Sequence, residues 1–120
     1  MTTSALVLRD KNSWLSRLAA NACLRSTSFG LAREIGPDGI TINVIVPGLI
    51  ATAHVLNMFG TEPEGQKALT DFFAGHIEQQ AVKRRGMPED IARAILFLTE
   101  EGSGFISGQM LNVDGGAQFI

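Results

Sequence analysis

Few side chains in this sequence combine a reactive type with a useful spacing. Cys23 is the only cysteine, so no internal disulfide can form, and no aligned His or cationic pair would activate it. It reads as a small buried residue of a helix in a protein of a reducing compartment. His54 and His76 lack metal-type spacing and read as surface or lid residues. Asp114-Gly115-Gly116 supplies one carboxylate, too few ligands for a metal, and reads as the turn that closes a strand. Lys83-Arg84-Arg85 is a short basic run in an acidic chain, a solvated loop rather than a phosphate site. Ser4 has neither a G-x-S-x-G elbow nor a positioned His, which argues against a serine hydrolase. Two absences matter more: the sequence contains no tyrosine, and it contains neither a G-x-x-x-G-x-G nor a G-x-G-x-x-G run to cradle a pyrophosphate.

The elements that would position such residues follow from pattern and punctuation. Asn12 and Ser13 can cap a helix starting near Trp14. It runs without proline to Ile35 and is stopped by Gly36-Pro37-Asp38-Gly39. Leu15, Leu18, Ala19, Ala22 and Phe29 form one apolar stripe and Leu24, Leu31 and Ile35 another, so burial on two faces is expected. Ile40 to Val46 is β-branched almost throughout, as in a parallel strand covered on both sides, and Pro47-Gly48 ends it. Gly60, Pro63 and Gly65 suggest a loop before a weakly amphipathic helix over Gln66 to Gln80. Met87-Pro88-Glu89-Asp90 starts another helix, with proline at its first position and two carboxylates facing the positive end of the dipole. Ile91, Ala94, Ile95 and Leu98 are its buried stripe. Met110 to Val113 reads as a second strand, and the intervening helices favour a right-handed parallel crossover.

Composition fits one compact domain over residues 1–120, in which roughly two-thirds of the unfolded surface could be buried. Apolar residues make up 45% and charged residues 18%, slightly rich in apolar surface for the length, so some of it is expected to need a partner. The net charge of −2 and pI near 5.6 argue against nucleic acid and anionic membranes as partners. No stretch approaches the ~20 apolar residues of a membrane span, and no basic, apolar leader is visible; a cytoplasmic location is the default expectation.

Four blocks, in order and at consistent spacing, carry a resemblance. They are Leu31-Ala32-Arg33-Glu34-Ile35-Gly36-Pro37-Asp38-Gly39-Ile40, Asn43-Val44-Ile45-Val46-Pro47-Gly48-Leu49-Ile50-Ala51-Thr52, Arg85-Gly86-Met87-Pro88-Glu89-Asp90-Ile91-Ala92, and Phe105 to Gly116. Together they resemble the C-terminal half of the short-chain dehydrogenase/reductase family. The resemblance implies an α/β, partial Rossmann-like fold of about two parallel strands with three or four helices, completed by self-association or repacking. It also implies NAD or NADP as cofactor, bound only weakly by this chain alone, and a homo-oligomer or a second chain of the same family as partner. Residues 53–85 correspond to the lid over the substrate.

An ungapped alignment extended backward from Leu31 places Arg17 and Asn21 at the family's catalytic Tyr and Lys, and Ser4 at its catalytic Ser. Relatives use a phenol whose pKa is lowered by the neighbouring ammonium to exchange a proton with substrate oxygen. The Arg17 guanidinium stays protonated at any ordinary pH, and the Asn21 amide can bond a ribose hydroxyl but brings no charge. Ser4 could polarise a carbonyl, although its place near the amino end predicts fraying. By the same resemblance, Pro47, Gly48, Ile50 and Thr52 contact the nicotinamide carboxamide. The expectation is an oxidoreductase-like, truncated chain unable alone to catalyse hydride transfer. The competing readings are a divergent active carbonyl/alcohol oxidoreductase and a non-catalytic oligomerisation module.

Overall fold

The computed structural model describes the backbone of residues 3–5 and 14–117 and the side chains of residues 22–117; the Asn12-Ser13 cap lies outside them. The elements in chain order are β1 (Thr3–Ala5), α1 (Trp14–Ile35), β2 (Thr41–Pro47), α2 (Ala53–Asn57), α3 (Pro63–Gln79), α4 (Pro88–Thr99) and β3 (Met110–Val113), with 3-10 turns at Gly36–Asp38 and Glu101–Ser103. The strands form one sheet in the order β1-β2-β3. β1 lies parallel to β2 with Ser4 opposite Ile42. The bonds Gly108 N–H to Ile42 O, Val44 N–H to Gln109 O and Gly48 N–H to Val113 O advance in step along both chains, so β3 is parallel to β2 as well. The α/β architecture with β2, β3 and four helices is therefore as expected, and the three-residue β1 adds a strand that the sequence reading does not contain. Ser4 sits within that strand rather than in a frayed end, because its backbone has the edge of β2 to pair with.

The chain divides into two compact units, Met1–Val46 with Arg93–Leu111, and Pro47–Ala92 with Asn112–Ile120. In the first, the 3-10 turn that follows α1 ends where Gly39 takes up φ 75°, its N–H returning to Gly36 O, while Ile40 N–H reaches Ile35 O. A left-handed residue there favours glycine. Val44, Ile45, Leu24 and Leu98 are buried. Asn43 is buried with them, only 1% exposed. Its amide nitrogen donates to Ile106 O at 2.9 Å, and its oxygen accepts from Gln109 N–H at 3.1 Å. Two backbone groups that would otherwise be orphaned beside the sheet are thus satisfied by one side chain.

The described part of α1 departs from the expected two-sided burial. Between residues 22 and 35 only Leu24 and Ser28 are buried, and Phe29 and Leu31 are exposed. Cys23 is exposed too, not a buried residue. It precedes Leu24 by one position, a rotation of about 100° on a 3.6-residue helix, which takes it off the buried line.

In the second unit the segment expected to be a lid is a packed pair of helices. Thr52 caps α2, its hydroxyl accepting from Val55 N–H at 3.3 Å. Pro63 begins α3 instead of belonging to the preceding loop, since its fixed φ and missing N–H suit a first helical position. Ala51, Val55, Leu69 and Phe73 form the core, with Leu49, Leu56, Phe59, Phe72 and Ile77 packed on it. Gly65 is where this packing is tightest: a Cβ there would overlap the Phe59 carbonyl oxygen. Gly65→Ala should therefore lower stability by about 1–3 kcal/mol through overpacking, although alanine is the better helix former by about 1 kcal/mol. Urea denaturation of the two proteins reads the sign directly.

Candidate functional site

The Pro47–Thr52 turn leaves the carboxyl end of β2, the place at which open α/β sheets bind ligands. Gly48, Ile50, Ala51 and Thr52 are fixed by backbone contacts within the second unit. Gly48 N–H donates to Val113 O at 3.0 Å, and a Cβ on Gly48 would stand 2.7 Å from Asp114 Cα, so only glycine lets the two backbones approach. Ile50 forms a parallel bridge with Gly86, and Ala51 N–H donates to Gly86 O at 2.8 Å. A Cβ on Gly86 would lie 2.8 Å from Leu49 O. Thr52 N–H turns back to Ile50 O. With Thr52 Oγ1 accepting from Val55 N–H, its hydroxyl proton is left to donate to a ligand oxygen.

The three basic residues of the Lys83-Arg84-Arg85 run are all engaged, for physical reasons that the sequence run does not reveal. Lys83 Nζ donates to Glu78 O at 2.7 Å and to Ile77 O at 3.3 Å, placing a cation on the negative end of α3. Arg84 makes a two-pronged pair with Asp90, both contacts at 2.7 Å. Asp90 also accepts from Met87 N–H at 2.8 Å, so it caps α4 and anchors Arg84 together. The carboxylate raises the guanidinium's pKa still further through this hydrogen bond and its charge. Arg85 lies over the Phe73 ring, 4.4 Å from its centroid. The run is the exposed loop that its charge implies, and its side chains also tie that loop down.

Asp114-Gly115-Gly116 closes β3 as expected. Asp114 Oδ1 accepts from Gly116 N–H, and both glycines have positive φ. His54 and His76 are exposed, as read from the sequence; the His76 ring nitrogen shares a hydrogen bond with Phe72 O. A cleft of about 310 Å³ opens beside the turn, bordered by Leu49, Ile50, Gln80, Arg84 and Asn112. Gln80 is a residue that the sequence reading passes over: one polar side chain in a polar stretch, it is nonetheless 8% exposed.

The structure brings Pro47, Gly48, Ile50 and Thr52 together on one turn of the second unit. Ser4 is in β1, and Arg17 and Asn21 are in α1, all in the first unit; their side chains lie outside the described residues. Among the described residues no three potential ligands gather to hold a metal ion.

A family model described as enoyl-(acyl carrier protein) reductase matches residues 4–118. The chain belongs to the short-chain dehydrogenase/reductase family. Its relatives include the short-chain dehydrogenase/reductase eriH of Hericium erinaceus, 39% identical over 99 residues, which are 82% of this chain and 35% of that protein. A 3-oxoacyl-[acyl-carrier-protein] reductase of Chlamydia trachomatis is 36% identical over 115 residues, 95% of this chain and 42% of that protein. Among solved structures, a 3-oxoacyl-[acyl-carrier protein] reductase of Brucella melitensis superimposes with a TM-score of 0.66 at 32% identity, covering 82% of this chain and 33% of that one. This short-chain dehydrogenase/reductase chain thus spans about two-fifths or less of the relatives it matches. The resemblance drawn from its four sequence blocks is confirmed as membership. No helix among the described residues is long and apolar enough to cross a membrane.

Proposed function

We propose that these 120 residues carry the nicotinamide-facing and lid portion of an NAD(P)-dependent carbonyl/alcohol oxidoreductase, and that alone they do not transfer hydride. The observation that carries this reading is the Pro47–Thr52 turn. Gly48, Ile50, Ala51 and Thr52 hold it by backbone bonds at the end of a parallel strand, whereas the same chain contains no tyrosine and no glycine-rich pyrophosphate turn. Pro47, Gly48, Ile50 and Thr52 would orient the nicotinamide carboxamide, with the free hydroxyl proton of Thr52 donating to it. Bound there, NAD or NADP would supply the hydride.

Arg17 and Asn21 occupy the positions of the proton-transfer pair. An always-charged guanidinium cannot exchange the proton that the reaction needs, and Asn21 is left to bond a ribose hydroxyl. Ser4 retains the means to polarise a carbonyl. The substrate contacts would come from residues 53–85. Relatives named for acyl-carrier-protein substrates and for cyclohexanol support carbonyl/alcohol chemistry as a class without favouring one substrate.

A second reading, a module for self-association or for binding another chain of the family, draws on the first unit. There Phe29, Leu31, Leu96, Phe97 and Phe105 are exposed, Phe105 completely, apolar surface of the kind that a partner chain would cover. The setting we infer is the cytoplasm. Oxidation of NADPH or NADH with ketone substrates, followed by absorbance, tests the main reading. The expected rate equals the blank for the native chain and for the double variant Arg17→Tyr/Asn21→Lys. Turnover by either protein would contradict it, the second because restoring the proton-transfer pair does not restore pyrophosphate binding.

A further inference from the structure

The connection from Gln80 to Gly86 is held at nearly every residue, and one buried amide organises it. Gln80 is the cap residue at the end of α3, its backbone N–H returning to Ile77 O. Its side-chain nitrogen donates twice, to Val82 O at 3.0 Å and to Arg84 O at 2.9 Å. Both donors of one primary amide are therefore spent on carbonyls two residues apart, and the chain curls around them. Val82 N–H then donates to Gly115 O at 2.9 Å. The side-chain nitrogen also packs against Gly115, where a Cβ would come within 3.0 Å of it. Farther along, Arg84 is clamped to Asp90 and Arg85 to the Phe73 ring. The strap ends at Gly86, whose carbonyl receives Ala51 N–H and whose backbone bridges Ile50.

We infer that Gln80 is a positioning residue for the Pro47–Thr52 turn, acting through the strap that presses Gly86 against Ile50 and Ala51. Its role as a cofactor-site residue rests on the proposed function; its mechanical role does not. The carbonyls at positions 82 and 84 lose their shared donor if the amide goes, and nothing then holds the chain curled between them. The strap loosens locally, and with it the bridge that sets the turn. α3 is thereby coupled to the turn at its exit, so that movement of the lid helix and the conformation of the turn are not independent.

The test is site-resolved amide hydrogen exchange on the 120-residue chain. Gln80→Met keeps length and flexibility but removes both donors. The expected result is exchange at Ala51 and Val82 accelerated at least tenfold, with Val44, which bonds to Gln109 O, unchanged. Equal acceleration at all three amides, or none at Ala51, overturns the inference. Should Gln80→Met fail to fold, Gln80→Glu provides the same comparison, being similar in shape but without a donor once ionised; failure of both shows a global rather than a local role and overturns it too. None of these readouts involves a nicotinamide, so the inference can stand even if the chain proves unrelated to cofactor binding.

Discussion

Phe73→Ala is expected to cost about 3–5 kcal/mol of stability, the range for emptying a large aromatic site in a packed core. Phe73 is 1% exposed and central to the cluster of Ala51, Val55 and Leu69. It meets Phe72 edge-on, with centroids 5.9 Å apart, and carries the Arg85 guanidinium on its face. Truncation would leave a cavity between α2 and α3 and would release Arg85, the residue that precedes Gly86 in the strap. Urea denaturation followed by fluorescence or circular dichroism measures the loss. Phe105→Ser is the control, since a fully exposed ring should change the stability of the monomer by no more than about 0.5 kcal/mol. A similar cost for both would mean that the second unit has no core of its own.

Asn43→Ala is the next largest effect, about 2–4 kcal/mol. The substitution removes little volume, yet it takes from Ile106 O and Gln109 N–H a partner that is itself buried, and an unsatisfied buried group costs about 1–3 kcal/mol. Asn43→Leu should fail almost as badly despite its better match in volume, because leucine neither donates nor accepts. Thermal unfolding of the pair separates the two causes. If leucine rescued most of the stability, the loss would be one of packing, and the hydrogen bonds to the segment before β3 would matter little.

Much of the fold is legible because its elements are bounded by residues with only one comfortable place. Trp14–Ile35, the start of α4 at Pro88 and β3 at Met110–Val113 coincide with the reading from periodicity and caps. β2 is displaced by one residue at each end. α3 begins three residues earlier than its pattern suggests, because Pro63, a loop marker by type, costs nothing in a first turn. α2, at five residues, is too short to show a period and is visible only through its Thr52 cap.

The candidate site was legible in its sequence blocks and illegible in its supports. Pro47 to Thr52 stand out as a block, but nothing in the primary sequence links Gln80 to Val82 and Arg84, or separates Asn43 from any other polar residue. Burial and the direction of a side chain decide those roles, and both are tertiary properties. The same holds for Lys83, Arg84 and Arg85, whose shared charge hides three different contacts. α1 misled in the opposite direction, since its apolar residues promise burial on two faces and residues 22–35 bury only Leu24 and Ser28.

We propose that the Pro47–Thr52 turn, without a pyrophosphate-binding turn and without a tyrosine, does not make a dehydrogenase. Isothermal calorimetry of the 120-residue chain with NADH and with NADPH tests it most directly. The account predicts no saturable binding below about 1 mM, an affinity of roughly −4 kcal/mol. A dissociation constant near 1 μM for either nucleotide, about twice that free energy, would contradict it.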